Sequence, residues 1–289
     1  MNTEQRPDIA RLIIACPDQH GIVAAVSDLI AELGGNIIAL DQYSTGVEDG
    51  QFFQRTVFHL PGLTDRRTEV EHSIESRLAT RFSMEWQLTE AARPKRVAIF
   101  ASKTDHCLLD LLWRHRRGEL PMEIACVISN HEDLEEDVRR FGIEFLHVPV
   151  DKTKKAAAEA EHLRLLKGKV DLVVLARYMQ VLSSTFLEEI GVPVMNIHHS
   201  FLPAFIGAGP YQKAKDRGVK LIGATAHYVT EDLDEGPIIE QDVIRVSHAD
   251  DVAQLTRYGA DVERAVLSRA VKWHCEDRVI RHGNTTIVF

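Results

Sequence analysis

Basic side chains are scarce where a nucleic-acid protein would concentrate them: 34 lysines and arginines against 43 aspartates and glutamates leave a formal charge of −9 over 289 residues. Neutralising phosphates takes clustered cations, so nucleic acid is excluded as a main partner. The short basic clusters Arg114–Arg117 and Lys152–Lys155 read as solvated helix faces. Cysteine is equally sparse. Cys16, Cys107, Cys126 and Cys275 fall in separate segments without CxxC spacing, which argues against a disulfide framework and predicts reduced, buried thiols of a cytosolic protein. No apolar stretch approaches the roughly 20 residues of a bilayer-spanning helix, and the polar stretch Met1–Asp8 has no signal-peptide core. A soluble cytoplasmic protein with no membrane partner is expected. Internal repeats and low-complexity tracts are absent too. What remains is 45% hydrophobic content, enough for one large core or two modest ones.

The apolar patterning changes character near residue 90. Before it, Ala10–Cys16 is strand-like, Pro17-Asp18-Gln19-His20-Gly21 turns, and an amphipathic helix is predicted over about 22–33, stopped by Gly34-Gly35-Asn36. Strands near 37–45 and 51–60, a charged helix over about 64–81 and a strand near 83–89 complete a βαββαβ order. This first domain spans 1–90. Glu90–Lys95, interrupted by Pro94, is the expected linker, and 95–289 the second domain. There apolar runs at 97–101, 122–129, 145–149, 172–176 and 194–197 alternate with predicted helices at about 106–118, 132–141, 154–167 and 183–189. Such alternation predicts an α/β fold with a doubly wound, mostly parallel sheet. Strands at 221–228 and 236–246, a helix over about 250–276 and a hairpin through Arg281–Asn284 follow.

Asn196 and His198 stand at i and i+2 at the end of a predicted strand, so both project to one side. An amide and an imidazole on one face can donate to an oxyanion growing on an attacked carbonyl. Asp234, in the acidic loop Thr230–Gly236, can accept or relay protons of the attacking group. Acyl-transfer or hydrolytic chemistry is the expectation.

The run Asn196-Ile197-His198 with Asp234, extended by Leu175–Ser183, Ser200–Pro203, Gly223–Val229 and Asp234–Ile239, resembles the folate-dependent formyltransferase family over about residues 95–289. The resemblance implies the formyltransferase fold, with Asn196, His198 and Asp234 around the formyl group of 10-formyltetrahydrofolate. An imidazolium at His198 and the Asn196 amide would stabilise the tetrahedral intermediate. Asp234 would orient water, keep His198 protonated or accept a proton, with His227 positioning it. Arg177, Tyr178, Met179, Gln180, Val181 and Leu182 would bind the pterin through backbone groups and enclose it, although Met179, Val181 and Leu182 read equally well as core residues. No metal and no cofactor are expected, the folate being the substrate. His198, His199, His227 and Asp234 are potential ligands, yet neighbouring histidines in extended backbone point to opposite faces. His199 is either a second polar group at the pocket edge or tied into the adjoining loop, and Asp232 and Glu235 are solvated.

One departure bears on the acceptor. Phosphate-accepting relatives carry a glycine-rich loop at the first turn of this domain, where backbone amides hold the phosphate. Here Ser102-Lys103-Thr104-Asp105-His106-Cys107 has no glycine. Lys103 could still attract an anion, and Asp105 and His106 could instead be a helix cap and a surface residue. The doubled His198-His199, the stretch Ala204–Ala208 and the N-terminal extension are most similar to the branch that hands the formyl group to water. The expected function is therefore hydrolysis of 10-formyltetrahydrofolate to formate and tetrahydrofolate, supplying formate for purine synthesis and balancing the one-carbon pool. The alternatives are formyl transfer to glycinamide ribonucleotide and a non-catalytic folate or amino-acid sensor. Gly207 and Gly209 read as turn residues, in a loop over Phe205–Tyr211 that could close on the formyl group. The N-terminal pattern, with Cys16–Val23 at its first turn, resembles an ACT domain. That implies a homo-oligomer paired through this domain and an effector site at Asp18, Gln19, His20, Gly21 and Asn36, with glycine or methionine as ligand; a purely dimer-forming role is the alternative.

Overall fold

A computed structural model describes residues 7–46, 48–151, 155–204 and 209–289. Most of the polar N-terminal stretch, most of the Lys152–Lys155 cluster and the Phe205–Ala208 part of the expected closing loop lie outside the described residues. The chain forms two compact units.

The first unit runs β1 (Ile9–Pro17), α1 (Ile22–Glu32), β2 (Asn36–Ser44), β3 (Gln51–His59), α2 (Leu63–Ile74), α3 (Thr80–Phe82) and β4 (Glu85–Glu90). Its sheet has the order β2-β3-β1-β4, and every pairing is antiparallel. Leu12 and Ile14 of β1, two residues apart, share the face covered by Val26 and Leu29 of α1 and by Val70 and Ile74 of α2. The single helix expected over 64–81 is interrupted by a π turn at Glu75–Ala79. Three hydroxyls explain the loosening: Ser73, Ser76 and Thr80 donate to the carbonyls of Glu69, His72 and Glu75 and compete with the α ladder. Glu276–Ile280 and Ile287–Phe289, expected in the second domain, belong to this unit. Buried Arg55 donates to the Glu276 carbonyl at 2.9 Å, and buried Arg11 pairs with Asp277 at 3.4 Å.

The second unit runs β5 (Lys95–Ala101), α4 (His106–Arg116), β6 (Met122–Ser129), α5 (Glu135–Arg140), β7 (Phe145–His147), α6 (Lys155–Leu166), β8 (Leu172–Ala176), α7 (Ser184–Ile190), β9 (Val194–His198), α8 (Pro210–Arg217), β10 (Leu221–Tyr228), β11 (Ile238–Arg245) and α9 (Val252–Cys275). The chain ends in the hairpin β12 (Val279–His282) and β13 (Thr285–Val288). The large sheet has the order β11-β10-β9-β8-β5-β6-β7. Strands β5 to β9 are parallel, and β10 and β11 run antiparallel at one edge. The order reverses at β5, whose neighbours are β8 and β6, so a crevice opens beyond the strands' carboxyl ends. Ser102, Arg177 and His198 stand at those ends. Strand β8 is buried along its whole length and reads as an uninterrupted apolar run, as a strand covered on both faces should.

Helix α8 replaces the described end of the expected loop. Gly209, with φ 67°, precedes Pro210 at the first helical position, and Gly218 ends the helix with φ 67°; this proline-first, glycine-last pattern is a helix signature. Among the described residues no helix is long and apolar enough to cross a membrane.

Candidate active site

Strand β9 places Asn196 and His198 on one side, and β10 runs antiparallel beside it with His227 opposite Asn196 and Thr225 opposite His198. The loop after β10 returns Asp234 to the same place. Asp234 takes a left-handed backbone, φ 60°, which aspartate tolerates better than most residues. Its Oδ2 lies 3.2 Å from His198 Nδ1, and its Oδ1 lies 3.8 Å from His227 Nε2. Burial pushes the Asp234 carboxyl up, but the hydrogen bond and charge of His198 outweigh it and hold the group below its usual value. His198 Nε2 is buried and has no partner among the described residues.

His227 is fixed as a neutral tautomer by what surrounds it. Its Nδ1 lies 3.0 Å from the Tyr228 carbonyl, an acceptor only, so Nδ1 carries the proton. Burial depresses the His227 pKa and favours that uncharged ring. The free lone pair at Nε2 then accepts from Asn196 Nδ2 at 3.2 Å. His227 thus orients Asn196 by a hydrogen bond, while its contact with Asp234 is the longer one.

These groups line a cavity of about 230 Å³ together with Arg177, Tyr178, Met179, Gln180, Val181 and Leu182. The rim segment divides by role. Tyr178 and Leu182 belong to the core beneath the sheet, whereas Met179 and Val181 are 58% and 56% exposed and offer an apolar face to a ligand. Met179 N donates to Ser102 Oγ at 3.1 Å, which ties the segment to the end of β5. Leu233 and Val229 add apolar lining. The His199 ring lies 5.0 Å from that of His198, closer than opposite-facing side chains would stand, because strand β9 ends at His198. Burial, followed by the charges of Arg177 and His198, lowers the His199 pKa to about 4, leaving it neutral at ordinary pH.

Asp105 occupies the N-cap of α4 without a side-chain hydrogen bond. His106 is not a surface residue. Its Nε2 meets Glu263 Oε2 at 2.8 Å, and Glu263 is 2% exposed. Sequence reasoning missed Glu263, although a signal exists: it interrupts the buried stripe Val262, Val266 and Leu267 of α9. In the first unit, the candidate effector turn holds Gly21 at φ 89° at the start of α1, Asp18 Oδ2 accepting from Ser44 Oγ at 2.5 Å, exposed Gln19 and His20, and Asn36 at the start of β2. Among the described residues His106, Cys107 and Glu263 are the one cluster with metal-ligand spacing; none of them is in the set His198, His199, His227 and Asp234.

Known proteins resemble this chain in both of its units. The formyl transferase family matches residues 95–271 and the ACT domain residues 10–71. The chain is 63% identical over 282 residues to formyltetrahydrofolate deformylase of Mycobacterium tuberculosis (strain ATCC 25618 / H37Rv), covering 98% of this chain and 91% of the relative. Identity to the Bacillus subtilis (strain 168) formyltetrahydrofolate deformylase is 53% over 283 residues, 98% and 94% of the two chains. The crystal structure of a formyltetrahydrofolate deformylase from Pseudomonas syringae pv. tomato str. DC3000 superposes with a TM-score of 0.92 at 50% identity, covering 99% of this chain and 95% of that one. With relatives at 63% and 53% identity that cover 98% of its length, this chain belongs to the formyltetrahydrofolate deformylase family, a formyl transferase domain preceded by an ACT domain.

Proposed function

We propose that this chain hydrolyses 10-formyltetrahydrofolate, releasing formate and tetrahydrofolate, and so supplies formate for purine synthesis while balancing the one-carbon pool. The carrying observation is the convergence of Asn196, His198 and Asp234 on one cavity in a chain matched along nearly its whole length by formyltetrahydrofolate deformylases. The alternatives of formyl transfer to glycinamide ribonucleotide and of a sensor without turnover have no comparable support.

In this reading the folate lies along Arg177–Leu182, with the pterin held by backbone groups and flanked by Met179 and Val181. Its formyl carbon faces His198 and Asn196. Water adds to that carbon, and the developing oxyanion is met by His198 Nε2–H and by the second proton of the Asn196 amide, whose first is held by His227. Donors already aimed at the site stabilise this charge without reorganising. Asp234 Oδ2 stabilises the imidazolium, and its second oxygen orients the water and receives its proton. Collapse breaks the carbon–nitrogen bond, N10 takes the electron pair and the proton held on Asp234, and formate leaves once the new carboxyl group gives its proton to solvent. The folate is the substrate, and no metal or further cofactor is assigned.

The ACT unit is read as a module that pairs subunits and takes glycine or methionine at Asp18–Gly21, where free amides at the start of α1 suit a carboxylate. The assay that tests the main reading follows formate and tetrahydrofolate from purified protein given 10-formyltetrahydrofolate alone. Stoichiometric release of both is expected; dependence on an amine acceptor overturns it.

A further inference from the structure

A second buried polar cluster lies behind the site. Glu263 sits in the apolar stripe of α9, and three groups from three other elements converge on its carboxylate. Tyr211 OH of α8 donates to Oε1 at 2.6 Å, His106 Nε2 of α4 meets Oε2 at 2.8 Å, and Arg177 Nε beyond β8 lies 3.4 Å from Oε2. Burial pushes the Glu263 carboxyl up, but His106, Arg177 and Tyr211 together outweigh it, so the group is a carboxylate. Gly259, one turn earlier on the same face of α9, makes the arrangement fit: a Cβ there would collide with the Tyr211 ring and hydroxyl. Glycine inside a helix is unfavourable relative to alanine, and here it leaves room for the phenol to reach Glu263. His106, Cys107 and Glu263 have ligand atoms within 4.8 Å of one another. A cation is a poor occupant, because the Arg177 guanidinium already neutralises the carboxylate and burial pushes the Cys107 thiol well up.

The cluster adjoins the reaction pocket. Arg177 and His199 both line the cavity, whereas Glu263, Tyr211 and His106 do not. The rings run in sequence, His198 to His199 at 5.0 Å and His199 to Tyr211 at 6.2 Å. The boundary of the cavity on this side is therefore His199 and Arg177, backed by Tyr211 and Glu263. The helix that begins at His106 is also the one whose preceding turn lacks a glycine-rich phosphate loop. The Glu263 carboxylate oxygens are engaged by Tyr211 and His106, and beyond His199 lies a second cavity of about 240 Å³ whose lining includes His199 and Tyr211. Among the described residues His199 is the one common to the two linings, so it is the partition between them.

We propose that Glu263, hydrogen-bonded by Tyr211 and His106 and ion-paired with Arg177, determines acceptor specificity: it anchors Tyr211 behind His199 and so keeps the second cavity parted from the reaction cavity, and water, but no larger nucleophile, reaches the formyl carbon. The inference rests on the hydrolytic reading above. Opening the wall should let a small primary amine compete. The amine nitrogen bonds to the formyl carbon and loses a proton, the bond to N10 breaks, N10 takes the electron pair and a proton, and a formamide replaces formate.

The experiment gives the full-length protein 10-formyltetrahydrofolate with excess glycinamide and quantifies formate and N-formylglycinamide together. Wild-type protein is expected to make formate almost exclusively. Tyr211→Ala, which empties the wall and leaves Asn196, His198 and Asp234 in place, is expected to raise the ratio of N-formylglycinamide to formate by roughly tenfold or more. Glu263→Gln, equal in size, should move the ratio in the same direction by less. A folded Tyr211→Ala protein with an unchanged ratio overturns the proposal, as does wild-type protein that already formylates glycinamide. If Tyr211→Ala fails to fold, as judged by circular dichroism and gel filtration, the ratio for Glu263→Gln decides in the same way. Wild-type protein that releases no formate contradicts the hydrolytic reading itself, a separate outcome.

Discussion

His198 Nδ1 lies 3.2 Å from Asp234 Oδ2, with both side chains 8% exposed. An enclosed pair of this kind is screened little by salt. Replacing Asp234 by asparagine keeps the shape but removes the carboxylate that faces His198 Nδ1. Asp234→Asn is expected to lower kcat for formate release by roughly a hundred- to thousandfold while changing folate affinity little. Asp232→Asn, in the exposed part of the same loop, should alter neither. Steady-state kinetics alongside equilibrium binding of the product tetrahydrofolate separates the two effects, and equal activity of both variants contradicts the assigned role.

Acid sensitivity should arise in part from a histidine remote from the chemistry. His162 is 1% exposed, neither ring nitrogen has a hydrogen-bond partner among the described residues, and Phe100 and Phe186 meet it edge-on. Burial lowers its pKa from 6.5 to about 4. Because the folded value is the lower one, the unfolded chain takes up the proton first. Stability from this group is therefore complete above pH 6.5 and declines as pH falls towards 4, by on the order of 3 kcal/mol. His162→Leu is expected to lose less stability across that window. Urea unfolding at pH 7.5 and pH 5 measures the difference, and parallel losses in the two proteins would remove His162 as the cause.

Gly259→Ala sets helix propensity against packing. Propensity alone favours alanine by about 1 kcal/mol, but the new methyl would overlap the Tyr211 hydroxyl. A lowered Tm is expected, together with partial recovery in Gly259→Ala/Tyr211→Ala, since the two positions share one contact and should not be additive. A higher Tm for the single variant would mean that Tyr211 moves aside without cost.

Effector binding is tested at Gly21. Its φ of 89° is open to glycine and strained for any other residue, and it shapes the turn from β1 into α1. Isothermal calorimetry on the whole chain is expected to show saturable binding of glycine or methionine. Gly21→Ala should weaken it by roughly tenfold, the scale of backbone strain at one residue. Absence of heat with both amino acids would leave the unit a pairing module only.

Asn196 and His198 could be placed together from sequence because a strand has a strict period of two, and one residue between them is sufficient to share a face. Met179 and Val181 were harder to assign, since an apolar residue at a strand-to-helix turn looks the same whether it faces core or ligand. Their exposure beside buried Tyr178 and Leu182 separates the two cases. The interruption of the helix after Ile74 was illegible, because no glycine or proline marks it and serine and threonine hydroxyls act only once the helix exists.

The sequence by itself determined both sheet architectures, through apolar runs whose spacing matches strand and helix periods, and it carried the residues Asn196, His198 and Asp234. Which imidazole nitrogen is free, that His227 serves Asn196, and that Glu263, Tyr211, His106 and Arg177 meet behind His199 were decided by the tertiary structure. These relationships join groups on separate elements, and a hydrogen bond or a closed wall depends on distances of a few tenths of an ångström that no local pattern of residues encodes.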